Sequence, residues 1–236
     1  MAYQSSFQRY EIKYILNRSQ KAALLEVMEP YMRLDQYGRV TIRNIYYDTP
    51  NYRLIRRSIE RPIYKEKLRI RSYRQVAPGG DVFVELKKKC KKVVYKRRLA
   101  MPIHEAMAWL AGDNSLKPPT QIGEEIHYFR EFYGELQPAV FLSYEREAFY
   151  SLDGSDFRIT LDENILAREQ DLDLCSEVYG NPILPQENTL LEVKAPGAIP
   201  LWLTDFLTKN KIYKTSFSKY GTAYQTMIFK GAYLHA

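Results

Sequence analysis

Apolar and polar residues alternate along several segments of this chain, which is the pattern of β-strands with one buried face. The alternation predicts strands at 9–16, 40–47, 63–73, 82–89, 93–101, 139–150, 157–162 and 189–194. Apolar residues at helical spacing predict helices at 17–30, 51–59, 102–110, 121–133, 200–207 and 217–229. Hairpin turns are indicated at 77–80 and at Asp153-Gly154, and the acidic segment 167–187 is predicted to be a loop.

Charged residues occupy one face of most of these strands, although the strands of a β-sandwich would have apolar core residues there. Residues i and i+2 share a face, so Lys67, Arg69 and Arg71 project together, opposite Leu68 and Ile70. The other charged faces are Glu11 and Lys13; Glu85, Lys87 and Lys89; Lys96 and Arg98; Arg158, Thr160 and Asp162; and Glu192 and Lys194. One such face would simply point to solvent, but its recurrence favours a sheet closed around a polar lumen.

The predicted fold class is therefore α+β, with a closed antiparallel β-barrel tunnel of about eight strands and helices packed outside. We expect one domain over 1–236, because 45% of the residues are apolar and can fill a core of this size. Cations that converge in a lumen repel one another unless an anion neutralises them. A triphosphate meets that need, and acids among the cations suit a divalent metal that bridges phosphate oxygens.

The composition indicates that the partner is an anion, but it does not identify which anion. The 35 Lys and Arg residues exceed the 28 Asp and Glu residues, and the net charge of +7 suits phosphate, nucleic acid or an acidic membrane surface. Cys90 and Cys175 have no metal-ligand spacing and are expected to be unpaired thiols in a reducing compartment. With no apolar run near the roughly 20 residues of a membrane span and no signal-peptide core, we expect a cytoplasmic protein.

Eight short segments, in order along nearly the whole chain, resemble one family. They are RYEIKY at 9–14, IYYDT at 45–49, LRIRSY at 68–73, VFVELK at 82–87, SYEREAF at 143–149, RITLD at 158–162, LEVK at 191–194 and SFSKY at 216–220. Together they resemble the catalytic domain of the VTC (vacuolar transporter chaperone) polyphosphate polymerases. That family lies within the triphosphate tunnel metalloenzyme, or CYTH-like, superfamily.

The resemblance implies a metal-dependent phosphotransferase that moves the γ-phosphoryl group of ATP onto a growing inorganic polyphosphate chain. Four residues match catalytic positions of the motifs: Arg69, Arg71, Lys87 and Arg146. The expected substrate-binding residues are Lys13, Lys96, Arg158, Lys194, Lys214, Ser218 and Lys219. Glu192 would hold Mn²⁺ or Mg²⁺. The partners implied are ATP and polyphosphate.

Two departures from the superfamily pattern qualify this expectation. Many superfamily hydrolases open with Glu-x-Glu-x-Lys, whereas this chain has Arg9-x-Glu11-x-Lys13, and the lost acid argues against a two-metal hydrolase. The sequence shows no SPX-like helical domain and no transmembrane segment, so a stand-alone catalytic domain is expected.

Two alternatives stay open. One is a triphosphatase of the same fold. The other is a non-catalytic polyanion or nucleic-acid binding module. Nucleic acid is the less expected partner, because the acids interleaved with the cations would repel its backbone.

Overall fold

The computed structural model of the chain describes residues 10–91 and 93–229. The strands in these residues are β1 Tyr10–Leu16, β2 Met32–Leu34, β3 Val40–Asp48, β4 Tyr64–Ser72, β5 Asp81–Cys90, β6 Val93–Pro102, β7 Gln137–Ser151, β8 Arg158–Arg168, β9 Asn181–Pro182, β10 Thr189–Ala195 and β11 Lys214–Thr215. The helices are α1 Arg18–Met28, α2 Arg53–Ile59, α3 Ile103–Ala111, α4 Gln121–Tyr133, α5 Leu201–Lys209 and α6 Lys219–Ala223, which a π-helical turn, Tyr224–Ile228, continues. Arg9 lies outside the described residues.

Short polar side chains begin several of these helices. Asn17 forms a capping box with Gln20 at the start of α1, and the Thr120 hydroxyl accepts a hydrogen bond from the backbone N–H of Gly123 in α4. The predicted helices and longer strands are confirmed within a few residues, except that β8 continues six residues beyond its predicted end, into the segment 167–187 that was predicted to be a loop. The short strands β2, β9 and β11 were not predicted, because two or three residues cannot display a repeating pattern.

The strands form one antiparallel sheet whose two ends are not joined. Its main path runs β11-β1-β10-β8-β7-β3-β4-β5-β6, with β2 added beside β7 and β9 beside β8. Among the described residues no backbone ladder joins β6 to β11, so the predicted closed barrel is not confirmed. The sheet nevertheless curls, because Lys87 Nζ on β5 lies 3.4 Å from Glu11 Oε2 on β1, far away in strand order. We call the space inside this curl the lumen.

Four helices cover the outer face of the sheet, as expected. Helices α3 and α4 pack Trp109 and Phe129 against Leu68 of β4 and other core residues of that side. Helices α1 and α5 pack Leu24 and Leu203 in the core that lies over β1, β8 and β10. This cover buries the apolar positions of the alternating strands, and their charged positions therefore face the lumen.

Helix α6 departs from the prediction that all helices pack outside. Its Tyr220 ring stacks on Tyr46 of β3 with ring centroids 4.8 Å apart, and Lys219 Nζ lies 4.4 Å from the centre of the Tyr144 ring of β7. Both partners share the sheet face of Arg69 and Arg146, so α6 lies on the inner face. Helical periodicity predicts that a helix has an apolar stripe, but it does not predict which side of a sheet the stripe covers.

Candidate active site

Cations outnumber carboxylates on the inner face of the sheet. In the part of the chain that the structure describes, the contacts and strand register place at least ten cations there, among them Lys13, Lys67, Arg69, Arg71, Lys87, Lys96, Arg98, Arg146, Lys194 and Lys219. The carboxylates placed with them are Glu11, Glu85, Asp162 and Glu192. The lumen therefore carries a strong excess of positive charge.

One group of these charges surrounds Glu85, whose side chain is 1% exposed. Arg69 Nη2 lies 2.7 Å from Glu85 Oε2, and Lys96 Nζ lies 2.8 Å from Glu85 Oε1. Arg98 donates to Oε1, and Arg71 Nε lies 3.7 Å from Oε2. Burial by itself raises the pKa of the Glu85 carboxyl, but these cations hold it far below its usual range. We call this group the Glu85 cluster.

A second group surrounds two carboxylates, Asp162 and Glu192. Arg146 makes a bidentate pair with Asp162, with both N–O distances 2.6 Å, and its Nη2 lies 3.1 Å from Glu192 Oε2. Lys13 Nζ and Lys219 Nζ each lie 3.1 Å from Glu192 Oε1, and Lys219 also contacts Asp162. Burial opposes ionisation of Glu192, but Lys219, Lys13 and Arg146 hold its pKa well below the usual range. We call this group the Glu192 cluster.

Two tyrosines lie between the clusters. The Tyr46 hydroxyl accepts a hydrogen bond from Arg69 Nη1 at 2.8 Å, and the Tyr144 hydroxyl accepts one from Arg71 Nη2 at 3.1 Å. Burial opposes ionisation of Tyr46, but Arg69, Lys67 and Arg71 lower its pKa to about 8. The positive potential of the lumen therefore outweighs the effect of burial on the pKa of this phenol.

Two lysines in the lumen have no carboxylate partner. Among the described residues, no carboxylate oxygen lies within 4.0 Å of Lys67 Nζ or Lys194 Nζ, and Lys67 donates only to Ser218 Oγ, at 3.1 Å. Burial lowers the pKa of both lysines to about 8, helped by Lys87 and Lys13 at Lys67 and by Arg146 at Lys194. Thr160 Oγ1 is also buried there without a described hydrogen-bond partner. These groups are suited to binding an anion that enters the lumen.

A cavity of about 880 Å³ leads from one mouth of the lumen to both clusters. Arg98 of the Glu85 cluster and Arg146 of the Glu192 cluster line it, together with Lys194 and Thr160. Arg158 also lines it but lies at the mouth, with its side chain 58% exposed and its Nη2 3.5 Å from Asp156. The clusters are therefore reachable by one ligand.

The structure brings together most of the residues that the sequence predicted for the site. Lys13, Arg69, Arg71, Lys87, Lys96, Arg146, Glu192, Lys194 and Lys219 all lie in the lumen, and Ser218 contacts Lys67 there. Lys214 does not join them. It is exposed and lies directly across from Tyr14, on the face opposite to Lys13, so the parity of β11 directs it away from the lumen.

Five contributors were on predicted charged faces but were not chosen as site residues: Glu11, Lys67, Glu85, Arg98 and Asp162. Their spacing was visible, because each lies two residues from a chosen cation or shares its strand face. The sequence pattern did not show that a buried carboxylate such as Glu85 would order the cations around it, because the burial of a side chain cannot be read from strand alternation.

The described side chains do not fit a resident metal ion. No three His, Cys, Asp or Glu side chains among them lie close enough together to hold one. The Glu192 oxygens are already engaged by three cations, which would repel a divalent ion. The assignment of Glu192 to Mn²⁺ or Mg²⁺ therefore stays a prediction.

A curled antiparallel sheet that encloses a cationic lumen defines a tunnel fold. A similar fold occurs in a crystal structure from Bacillus halodurans, provisionally assigned as an adenylate cyclase, at 14% identity and a TM-score of 0.57, covering 91% of this chain and 96% of that one. A candidate adenylyl cyclase from Hippeastrum, described as having a dominant triphosphatase activity, matches at 17% identity and a TM-score of 0.55, covering 92% and 94%. These likenesses concern the fold.

The VTC domain family model matches residues 8–228 of the sequence, and the chain belongs to this family. The resemblance inferred from the eight motifs is thereby confirmed. No protein with a curated description matches the sequence. In the described residues, no helix combines the length and the apolar character that crossing a lipid bilayer requires.

Proposed function

We propose that this chain is a polyphosphate polymerase, which transfers the γ-phosphoryl group of ATP to the end of an inorganic polyphosphate chain inside the lumen. The observation that carries the proposal is the excess of cations over carboxylates in the lumen, where among the described residues Lys67 and Lys194 have no acidic partner. Membership of the VTC domain family supports the same activity.

The two clusters suit the two anionic partners of such a transfer. The forked guanidinium groups of Arg69 and Arg98 in the Glu85 cluster can each bind two phosphate oxygens. Arg146, Lys13 and Lys219 supply positive charge in the Glu192 cluster. A donor triphosphate and an acceptor phosphate could then lie side by side without strong repulsion between them.

In the transfer, the bond between the γ-phosphorus of ATP and the β,γ-bridging oxygen breaks. A new bond forms between that phosphorus and a terminal oxygen of the acceptor, which yields ADP and a chain longer by one phosphate. The acceptor oxygen is already anionic, so no protein base has to remove a proton. The work of the protein is therefore to position the partners and to stabilise charge on the transferring oxygens, for which the lumenal arginines and lysines are suited.

A divalent ion, Mn²⁺ or Mg²⁺, would enter with the triphosphate under this proposal. Mg²⁺ is commonly bound by one or two carboxylates together with substrate phosphates, and phosphate oxygens would supply the ligands that the protein lacks. Glu192 and the neighbouring Glu11 are the carboxylates we propose to take part, once the phosphates have drawn Lys13, Arg146 and Lys219 away from Glu192. Bound there, the ion would neutralise phosphate charge.

Triphosphate hydrolysis is the second candidate. The activity described for the Hippeastrum protein favours it, because the two chains share a fold. Against it stands Arg9, in place of the acid that opens the motif of many superfamily hydrolases. The products separate the two candidates, since a hydrolase releases inorganic phosphate without a polymer.

The test is turnover of ATP with Mn²⁺ by purified protein, with the products resolved by chain length. We expect ADP and polyphosphate from the wild type and a loss of about 100-fold in Arg69→Ala, since one preorganised charge contact with a transition state typically contributes that much.

The matched control is Arg97→Ala. Arg97 is the neighbour of Arg98 on β6, but it points to the outer face and pairs with Glu125, with its Nε 2.9 Å from Oε2. This variant should keep wild-type turnover. If folded wild-type protein released only inorganic phosphate, the triphosphatase hypothesis would replace the polymerase hypothesis. If it did not turn over ATP at all, both hypotheses would be excluded.

A further inference from the structure

The cavity that leads to the clusters is lined by two kinds of side chain. Arg98, Arg146 and Lys194 are cationic. An apolar and aromatic wall lies beside them, and its members are Val40, Ile42, Tyr73, Phe83 and Ala148. An inorganic triphosphate has no group that would benefit from such a wall, whereas a nucleoside does.

The aromatic part of this wall is held in place beside the Glu85 cluster. The rings of Tyr73 and Phe83 meet edge to face with centroids 5.8 Å apart. The Arg98 guanidinium lies 4.5 Å from the centre of the Phe83 ring and donates a hydrogen bond to the Tyr73 hydroxyl at 2.6 Å. A ligand on these rings would therefore have its charged end within reach of Arg98.

Tyr73 is accessible to such a ligand. Its side chain lies at the mouth of the lumen, just after β4, and the residue is 37% exposed, in contrast to the buried Ile42 on the same wall. An exposed aromatic ring next to an arginine side chain is an arrangement that nucleic-acid-binding proteins use to stack a base and hold its phosphates.

We propose that the Tyr73–Phe83 wall is the base-binding subsite of a nucleoside triphosphate whose phosphates reach Arg98, Arg146 and Lys194. This inference rests on the proposed function and names the part of the site that distinguishes a nucleotide from inorganic triphosphate. Stacking contacts only the face of a base, and the nearby Gln75 side-chain amide already donates to the Cys175 carbonyl oxygen at 2.7 Å. ATP and GTP should therefore bind with similar affinity.

The test compares Tyr73→Ala with Tyr73→Phe by calorimetry. Both variants lose the hydrogen bond to Arg98, but only Tyr73→Phe keeps a ring for stacking. The ligands are a non-hydrolysable ATP analogue and inorganic tripolyphosphate. We expect the analogue to bind about tenfold more weakly to Tyr73→Ala than to Tyr73→Phe. Tripolyphosphate should bind the two variants equally.

Equal weakening of both ligands, or no difference between the variants for the analogue, would overturn the base subsite. The measurement needs no turnover, so it is independent of the reaction. The wild type could fail to make polymer while the affinity for the analogue still differs between the two variants. That result would overturn the proposed polymerase activity but would support the base-binding subsite. Thermal unfolding of Tyr73→Ala checks that the variant is folded.

Discussion

The Glu85 and Glu192 clusters differ in how the chain builds them. Around Glu85, the cations come from the two strands that flank β5, with Arg69 and Arg71 on β4 and Lys96 and Arg98 on β6. The cations around Glu192 come from distant parts of the chain, namely β1, β7 and helix α6. One cluster is thus the product of two consecutive hairpins, and the other forms only when both ends of the chain are in place.

The clusters also differ in their carboxylates. Glu85 is the single carboxylate that its four cations share within the described residues. Glu192 shares Arg146 and Lys219 with Asp162, which is fully buried. Loss of one carboxylate should therefore leave unbalanced charge in the first cluster but much less in the second.

The largest effect is expected from a comparison of Glu85→Gln with Glu192→Gln. Glu85→Gln should lower the free energy of unfolding by about 3 kcal/mol, since it leaves buried cations without their partner. Glu192→Gln should cost only about 1 kcal/mol, because Asp162 still pairs with two of the three cations. Urea unfolding at neutral pH measures both.

Added tripolyphosphate sharpens this comparison. An anion in the lumen replaces the missing charge, so it should raise the unfolding midpoint of Glu85→Gln more than that of the wild type. If Glu85→Gln and Glu192→Gln lowered the free energy of unfolding equally, the two clusters would be electrostatically alike. The different origin of their cations along the chain would then have no energetic consequence.

A pH dependence of intermediate size should appear in anion binding, through Lys96 of the Glu85 cluster and through Lys67 and Lys194, which belong to neither cluster. Burial lowers the pKa of Lys96 beside Glu85 to about 8, although Glu85 opposes the shift, and Lys67 and Lys194 reach about 8 as well. An anion binds the ammonium form, so affinity for tripolyphosphate should fall as pH rises through about 8, and binding there should take up protons. Calorimetry between pH 7 and 9.5 in buffers of different ionisation enthalpy measures both quantities.

The same pKa shifts determine whether the free energy of unfolding rises or falls with pH. Each lysine has a lower pKa in the folded state than its ordinary value, so without ligand its charge opposes folding, and this penalty is relieved as pH rises from about 8 towards 10.5. Lys194→Arg keeps its charge at high pH and should lose less affinity than the wild type. An affinity that is flat from pH 7 to 9.5 would contradict the shifted lysines.

The smallest effect is expected from Tyr220→Phe, which removes a hydrogen bond that helps to position helix α6 and thereby Lys219 of the Glu192 cluster. The Tyr220 hydroxyl donates to Asp48 Oδ2 at 2.9 Å, and Asp48 also accepts hydrogen bonds from backbone N–H groups at the start of α2. Its loss should cost about 1 kcal/mol of stability. Because Lys219 is the next residue, we expect turnover to fall a few-fold while the affinity for tripolyphosphate changes little.

Tyr224→Phe is the matched control, since Tyr224 is buried in the same core but donates to no described carboxylate. It should leave turnover unchanged. If both variants behaved alike, the hydrogen bond to Asp48 would have no role in positioning α6.

Strand parity allowed much of the site to be predicted. Residues two apart share a face whatever the rest of the fold does, so Arg69 and Arg71, or Glu192 and Lys194, had to point the same way once their segments were strands. Lys214 was expected in the site from the family resemblance and not from parity, and β11 has only two residues and therefore no pattern from which its parity can be read.

The sequence by itself determined the helices, the long strands and the separation of charged from apolar faces, because these follow from local periodicity. Only the tertiary structure decided that the sheet curls without a closing ladder and that α6 enters the lumen. It also decided that Glu85 and Glu192 each collect several cations. The physical reason is that curvature and burial depend on contacts between residues far apart in the chain, such as Glu11 with Lys87 and Asp162 with Lys219.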